Sequence, residues 1–140
     1  MTALYTTSAT AHAGRNGQVT SDDKKLNLAL SYPKEMGGTG EATNPEQLFA
    51  AGYAACFSNA VLHVARETKN AIKSAPTTAT VAIGANENNG FVLAVALSVE
   101  LELEQAAAVE LVHAAHQVCP YSNAVHGNID VKLTVNGVAL

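Results

Sequence analysis

Two cysteines, Cys56 and Cys119, are the side chains in this sequence with the greatest capacity for chemistry. They lie too far apart for the CxxC clip of a metal site, and two cysteines are too few for the disulfide framework of a small secreted domain. We therefore treat both as free thiols. Because a thiol reacts as a nucleophile only in its ionised form, each cysteine must be judged by its surroundings.

Cys56 lies in an apolar stretch with Ala54, Ala55 and Phe57. One interpretation is a small core residue, because free cysteine is among the most buried residue types. The other is a nucleophile, and this requires help, because an apolar site raises the pKa of a thiol unless a fixed cation stands nearby. The nucleophile hypothesis therefore depends on which cation that is.

Arg15 is the best candidate for that cation. Arg66 and Lys69 lie ten or more residues beyond Cys56 on the same predicted helix, a separation of about 15 Å or more along the axis. Arg15 is predicted at a hairpin tip, which can bring its guanidinium over the helix, and Glu46 could orient it through a bidentate pair. The alternatives are that Arg15 is a solvated turn residue and that Glu46 is an acid favoured by the helix N-terminus.

Cys119 stands directly before Pro120, where a predicted helix breaks, because the residue before a proline is pushed out of the α region. Such a place can rearrange, and a mobile thiol suits a resolving role. The alternative is a buried structural cysteine at a helix end. The residues alone leave both interpretations open.

Other residue types give weaker signals. His113 and His116 are spaced i, i+3, but no third ligand follows at motif spacing, so no metal site is predicted. Ser58 lacks the G-x-S-x-G elbow of a hydrolase, and the glycine-rich segment 37–40 lacks the Lys and Ser/Thr of a P-loop. No cofactor is expected.

A long helix over 47–69 is predicted to carry Cys56. The sequence TNPE at 43–46 favours a helix start, because it offers a Thr or Asn cap, a proline in the first turn and an acid near the positive end of the dipole. The helix is apolar nearly all round, so we expect it in the centre of the molecule.

Strands and a second helix complete the prediction. Alternating and β-branched residues predict the strands, and the Asn-Gly at 16–17 is expected to supply the positive φ of the first hairpin turn. The strands cover 6–13, 26–30, 78–85, 91–103 and 129–135, and the second helix covers 105–118. The fold class is therefore α+β over a single domain, 1–140, with antiparallel sheets around two central helices.

Composition limits the class of protein. Hydrophobic residues make up 48% of the chain and charged residues 14%, which is too apolar for a disordered protein. The net charge is −4 and no basic stripe is present, so nucleic acid is not an expected partner. We see no targeting segment or transmembrane run and expect a cytoplasmic protein without a membrane partner. So few charges would cover a monomer poorly, which favours a homodimer.

Three segments resemble the organic hydroperoxide resistance protein family. They are GRNG at 14–17, GGTGEATNPEQLFAAGYAACF at 37–57 and AHQVCPYSNA at 115–124. The resemblance spans nearly the whole chain, and the third segment looks like the organic hydroperoxide branch rather than its sister, the osmotically inducible protein branch. The sequence departs from the family at 102–105, where relatives often carry Pro-Gly, and at 125–126, where many have Thr-Arg.

The resemblance implies a peroxidatic cysteine at Cys56, a resolving cysteine at Cys119 and an orienting pair at Arg15 and Glu46. It also implies an intertwined homodimer with active sites near the subunit interface, recycled by a lipoylated protein or another dithiol. In this hypothesis Arg15 keeps Cys56 ionised, and the thiolate attacks an organic hydroperoxide to give a sulfenic acid. Cys119 condenses with that acid to a disulfide, which the dithiol reduces.

The apolar neighbours of Cys56 suggest what kind of peroxide is preferred. Leu48, Phe49, Phe57 and Tyr121 could hold an alkyl or acyl tail that hydrogen peroxide lacks. One alternative is a broader stress peroxidase like the sister branch, and another is a non-catalytic redox sensor or binding protein that uses the same disulfide. A purely structural disulfide is disfavoured, because the cytosol keeps thiols reduced.

Overall fold

The computed structural model describes residues 1–140 and has the predicted α+β architecture. The chain forms two compact units, Met1–Leu48 and Phe49–Leu140. The helices are α1 (Pro45–Glu67), α2 (Gln105–Val118) and α3 (Pro120–Val125). The strands are β1 (Ala9–His12), β2 (Gln18–Ser21), β3 (Asn27–Ala29), β4 (Thr77–Ala85), β5 (Phe91–Val99), β6 (Lys132–Val135) and β7 (Val138–Ala139).

A three-stranded antiparallel sheet forms most of the first unit. β2 pairs with β1, where Thr10 lies opposite Thr20, and with β3, where Val19 lies opposite Leu28. Most side chains of this sheet are exposed. The buried residues of the unit are Leu30, Ser31 and Asn44. The first unit thus has almost no hydrophobic core of its own.

The turn between β1 and β2 is one turn of 3₁₀ helix, Gly14–Asn16. The hairpin is confirmed, but its positive φ angles fall at Ala13 (56°) and Gly14 (55°). The prediction that Asn16-Gly17 supplies the positive φ is therefore wrong, because the left-handed residues come earlier and Gly17 has a φ of −114°. Gly17 is required for a different reason, since a Cβ there would overlap the carbonyl oxygen of His12.

Helix α1 begins as the sequence predicts. Oδ1 of Asn44 accepts a hydrogen bond from the backbone N–H of Gln47 at 2.9 Å, and this cap satisfies one of the free donors of the first turn. Pro45 follows as the first helical residue, where a missing N–H costs nothing. The helix lies two residues earlier at each end than the predicted 47–69.

Helix α1 is not buried all round within one chain, contrary to the prediction. Ala51 and Ala55 are exposed. The buried residues are Tyr53, Phe57, Ala60, Val61, Val64 and Ala65. By length and composition alone α1 could also cross a membrane, but the core helix of a soluble protein passes the same test.

The second unit contains a four-stranded sheet in the order β4, β5, β6, β7. β4 and β5 form the predicted antiparallel hairpin, with Ala79 opposite Leu97. β6 runs parallel to β5, with Leu97 opposite Leu133, so the prediction of wholly antiparallel sheets is wrong here. The reason is the connection, because α2 and α3 form the crossover that parallel neighbours need.

The hydrophobic core lies in the second unit and combines α1, β5, α2 and β6. The largest fully buried side chains are Tyr53, Phe57, Leu97, Val61, Val99, Val112, Val135 and Cys119. One of the two thiols is therefore part of the core itself.

Candidate active site

The two cysteines lie next to each other in the second unit. Cys119 is fully buried and Cys56 is partly exposed. The thiol of Cys119 donates a hydrogen bond to Cys56 Sγ, and the two sulfurs are 3.7 Å apart. A disulfide has an S–S length of about 2.05 Å, so the pair stands close to bonding distance while both thiols are free.

Cys119 is held by the corner between α2 and α3. Its backbone is extended, with φ −64° and ψ 122°, as expected before Pro120. Its N–H donates to the carbonyl of Ala115 at 2.9 Å, and its own carbonyl accepts from the N–H of Asn123 at 3.0 Å. Cys119 is therefore both the C-cap of α2 and the N-cap of α3.

Helix α3 was missed by the sequence analysis, which treated the Cys-Pro break as the end of helical structure. The available signal was Pro120 itself, because proline is favoured at the first position of a helix and occupies that position in α3. The corner is consequently a tight connection between two helices. Cys119 is buried at a helix end, as in one of the two interpretations left open by the sequence, and its role as a resolving thiol stays a prediction.

A small cavity of about 180 Å³ opens beside the thiols. Its lining residues come from α1 and from the corner after α2, and they are Cys56, Asn59, Ala60, His63, Val118 and Pro120. Cys56 is the only sulfur on its wall, so a small molecule in this cavity meets Cys56 and not Cys119.

The surroundings of Cys56 favour the neutral thiol. Burial raises the pKa of Cys56, and the neighbouring Cys119 raises it further, while the backbone N–H of Tyr121 acts in the opposite direction. A thiol with a raised pKa is largely protonated at neutral pH and is a poor nucleophile. The structure therefore agrees with the inference from the sequence that Cys56 needs a nearby cation in order to ionise.

A bidentate ion pair joins Arg15 and Glu46 in the first unit. Arg15 Nη1 donates to Glu46 Oε2 at 2.7 Å and Nη2 donates to Oε1 at 2.5 Å. The hydrogen bonds from Arg15 lower the pKa of Glu46, and those same bonds raise the pKa of Arg15. The predicted pairing of these two residues is present, and both groups are charged at neutral pH.

Tyr32 is a third member of this charged site that the sequence did not reveal. Arg15 Cζ lies 5.8 Å from the centre of the Tyr32 ring, close enough for a cation–π contact. Two sides of the guanidinium are thus occupied, one by a carboxylate and one by an aromatic ring. No spacing rule links position 32 to position 15, so pattern reasoning had no signal for it.

The four apolar residues predicted to hold a substrate tail have different surroundings. Phe49 and Tyr121 lie together in the second unit with ring centres 6.2 Å apart, and Tyr121 is 40% exposed. Phe57 is fully buried against Tyr53, so its contact with a substrate tail stays a prediction. Leu48 ends the first unit and is not among these aromatic contacts.

The histidines do not form a metal site. No group of three His, Cys, Asp or Glu side chains is close enough to hold a metal ion. His116 is partly buried with Nδ1 unpaired, and burial together with His113 and His126 lowers its pKa. His116 is therefore neutral at neutral pH, and His113 is exposed.

A comparison with known proteins identifies the family to which this chain is similar. The family model of OsmC-like proteins matches residues 38–134. The crystal structure of an organic hydroperoxide resistance protein from Vibrio cholerae, with captopril bound in one of its active sites, is 68% identical and superposes with a TM-score of 0.98 over 100% of this chain and 97% of that one.

Two further relatives narrow the class. An organic hydroperoxide resistance protein structure from Legionella pneumophila is 54% identical, with a TM-score of 0.93 over 96% of this chain and 98% of that one. The organic hydroperoxide resistance protein of Xanthomonas axonopodis pv. citri is 49% identical over 94% of each chain. The chain therefore belongs to the OsmC-like protein family and, within it, to the organic hydroperoxide resistance proteins.

Proposed function

We propose that this protein is a thiol peroxidase that reduces organic hydroperoxides to alcohols and so contributes to defence against oxidative stress. The observation that carries the proposal is the 3.7 Å separation of the Cys56 and Cys119 sulfurs. Relatives that share about half or more of the sequence bear the name organic hydroperoxide resistance protein. Two adjacent thiols can carry out such a reduction, because one can attack the hydroperoxide and the other can then form a disulfide with it.

The reaction runs in three balanced steps. The Cys56 thiolate attacks one oxygen of the hydroperoxide, the O–O bond breaks, and the alcohol leaves with a proton while Cys56 becomes a sulfenic acid. The Cys119 thiol then attacks the Cys56 sulfur, forming the disulfide and releasing water. An external dithiol reduces this disulfide by exchange and is itself oxidised to a disulfide.

Arg15 supplies the positive charge in this proposal, and Glu46 orients it. Burial raises the pKa of Cys56, so the thiolate requires a cation that stays charged in a partly dry site. Arginine meets this requirement because its guanidinium does not deprotonate in proteins. The bidentate pair with Glu46 leaves the guanidinium fixed in one orientation.

The preference for organic over hydrogen peroxide is assigned to apolar surface near the thiols. Phe49 and Tyr121 present an aromatic pair, and Tyr121 is exposed enough to meet a ligand. An alkyl or acyl tail gains binding free energy by leaving water for such a surface, and hydrogen peroxide has no tail to bury. The proposal predicts a higher kcat/KM for bulky hydroperoxides than for small ones.

A homodimer is the assembly that we propose. Ala51 and Ala55 leave an apolar strip of α1 exposed in the single chain, and Phe91 and Val92 at the start of β5 are also exposed. Charged residues are few, at 14%. Sedimentation at micromolar concentration should give twice the mass of one chain, and a monomer would contradict the proposal.

The reductant is proposed to be a lipoylated protein in the cytoplasm. A lipoyl group carries two thiols on one short chain, so it can open the Cys56–Cys119 bridge and close its own ring without a second reductant. Dihydrolipoamide should sustain peroxide consumption, whereas glutathione at the same thiol concentration should support it poorly. Equal rates with both would overturn this assignment.

One experiment tests the peroxidase proposal. One equivalent of cumene hydroperoxide is added to the reduced protein, and the cysteines are mapped by mass spectrometry. We expect a Cys56–Cys119 disulfide, and in Cys119→Ser we expect overoxidised Cys56 once excess peroxide is present. A protein whose Cys56 stays alkylatable is not a peroxidase, and one that forms the bridge but shows no turnover with either dihydrolipoamide or dithiothreitol is a redox sensor.

A further inference from the structure

We propose that Gly52 is a positioning residue for the resolving step: its missing side chain lets Tyr121 pack onto α1 and so holds Cys119 against Cys56. This inference rests on the proposed peroxidase function. Gly52 lies one helical turn before Cys56 in α1, and Tyr121 lies two residues after Cys119. Each partner of the contact is therefore tied closely along the chain to one of the two thiols.

A side chain at position 52 would require the Tyr121 ring to move. A Cβ on Gly52 would lie 2.9 Å from Tyr121 Oη, 3.2 Å from its Cε2 and 3.3 Å from its Cζ. The Tyr121 ring packs against the rings of Tyr53 at 5.6 Å and Phe49 at 6.2 Å, so moving it away from such a Cβ would disturb these contacts. We therefore expect an alanine at position 52 to displace Tyr121 and, with it, the start of α3.

A second contact fastens the same two segments at the neighbouring positions. Tyr53 Oη and Ser122 Oγ share a hydrogen bond of 2.9 Å, and both residues are buried. Adjacent residues of α1 thus hold adjacent residues of α3. We call the Gly52–Tyr121 contact and the Tyr53–Ser122 hydrogen bond together the corner clamp.

Local helix preference does not explain a glycine at position 52. Glycine weakens a helix interior relative to alanine, because it loses more backbone freedom on folding. The flanking positions of α1, Ala50, Ala51, Ala54 and Ala55, carry the better helix former. The glycine among these alanines lies where the Tyr121 ring would meet a methyl group.

The corner clamp matters most after Cys56 has become a sulfenic acid. Two reactions then compete for it: the Cys119 thiol forms the disulfide and releases water, or a second hydroperoxide oxidises it to a sulfinic acid and leaves as alcohol. The sulfurs, 3.7 Å apart, must approach by about another 1.7 Å to bond. Any outward shift of the corner lengthens that approach and favours the second reaction.

The test compares wild type and Gly52→Ala at rising ratios of cumene hydroperoxide to protein. The fraction of Cys56 found as sulfinic acid, rather than as disulfide, is measured by mass spectrometry. We expect this ratio to rise about tenfold in Gly52→Ala, because a misplacement of about an ångström is known to cost that much or more. The rate of the first step, followed by peroxide loss in a single turnover, is measured alongside, and a change in it does not affect the test, because the disulfide and the sulfinic acid both form from the same sulfenic acid.

A double-mutant cycle separates positioning from a general loss of structure. Tyr121→Ala alone should raise the sulfinic fraction, because it removes one half of the clamp. In that background Gly52→Ala should add nothing to the sulfinic fraction and should raise the Tm, because the clash is gone and alanine favours the helix. An equal rise caused by Gly52→Ala in both backgrounds would overturn the inference.

Tyr53→Phe gives a second, milder variant that loses only the hydroxyl of the clamp. It should raise the sulfinic fraction about threefold, while Tyr5→Phe, at an exposed tyrosine near the N-terminus, should leave it unchanged. If wild type forms no disulfide, the peroxidase proposal fails. If wild type forms it and neither Gly52→Ala nor Tyr53→Phe increases overoxidation, the clamp inference alone fails.

Discussion

The two compact units hold their reactive groups in opposite surroundings. In the first unit, which has almost no hydrophobic core, Arg15 in the turn after β1 and Glu46 in the first turn of α1 form a partly buried charged pair. In the second unit, Cys56 and Cys119 stand against a dense apolar core. Charged groups are costly to bury, while a neutral thiol packs like a small hydrophobe. The two charges therefore lie in the unit without a hydrophobic core and neutralise each other there, while the thiols lie against the core of the second unit.

This difference teaches how a buried cysteine can be both stable and reactive. The core keeps both thiols in place, and burial raises the pKa of Cys56. Reactivity must then come from a charge that the core itself cannot hold. In the proposed function the first unit contributes that charge, so the activity should depend on residues of both units while the stability depends mainly on the second.

The largest effect is expected from the thiol itself. Cys56→Ser should lower kcat/KM for cumene hydroperoxide by more than about 10⁴-fold, because a hydroxyl cannot take the place of the attacking thiolate. Stopped-flow measurement of peroxide loss would show it. Cys119→Ser is the matched control: it should keep a first turnover and lose the later ones. If Cys119→Ser alone abolished the first turnover, the assignment of the two roles would be wrong.

A slightly smaller effect is expected from removing the charge in the first unit. Arg15→Gln should lower the neutral-pH rate by about 10²- to 10³-fold, as for other lost electrostatic stabilisers. Because the pKa of Cys56 is raised by burial, the variant should recover activity as the pH rises and more thiolate forms.

Arg15→Lys is the control for the Arg15→Gln measurement, since it keeps the charge but loses the bidentate geometry. It should fall between wild type and Arg15→Gln at neutral pH. A pH profile of Arg15→Gln that matches wild type in shape would show that Arg15 does not govern the ionisation of Cys56.

The sequence predicted the parts of both units that follow from local chemistry. The cap at Asn44, the bounds of α2 and the β4–β5 hairpin depend on neighbouring residues, and the structure confirms them. The pairing of Arg15 with Glu46 was also within reach, because an isolated Arg with a long side chain needs an acid to orient it. In each case the residues on which the prediction depends lie in a sequence motif or at a spacing typical of the predicted element.

What the sequence did not predict depends on contacts between distant segments. Tyr32 beside Arg15 and Tyr121 over Gly52 follow from how loops and helices meet, and no spacing rule encodes them. The parallel β5–β6 pairing was missed for the same reason, because the crossover through α3 was read as a break. The apparent all-round apolarity of α1 was misleading, since one strip of it is exposed in a single chain.

Two leucine substitutions test whether the second unit contributes more to the free energy of unfolding than the first. Leu97 is 1% exposed in the core of the second unit, and Leu28 is 38% exposed in the first sheet. Leu97→Ala should lower the free energy of unfolding by about 3 kcal/mol, as expected for a cavity in a core. Leu28→Ala should cost less than about 1 kcal/mol. Urea unfolding at one fixed protein concentration measures both, and equal costs would mean that the exposed sheet is covered by a partner copy.

The smallest effect is expected from the pH dependence of the ion pair. Hydrogen bonds from Arg15 hold the pKa of Glu46 below its ordinary value of 4.5, so the pair stabilises the folded state above that pH and loses this contribution as the pH falls through the lowered pKa. Glu46→Gln should therefore lower the free energy of unfolding by about 1 kcal/mol at neutral pH, and the difference should vanish in acid. Glu41→Gln, at an exposed acid of the same unit, should show no such difference. A Glu46→Gln deficit that persists unchanged in acid would mean that packing, and not charge, accounts for the role of this side chain.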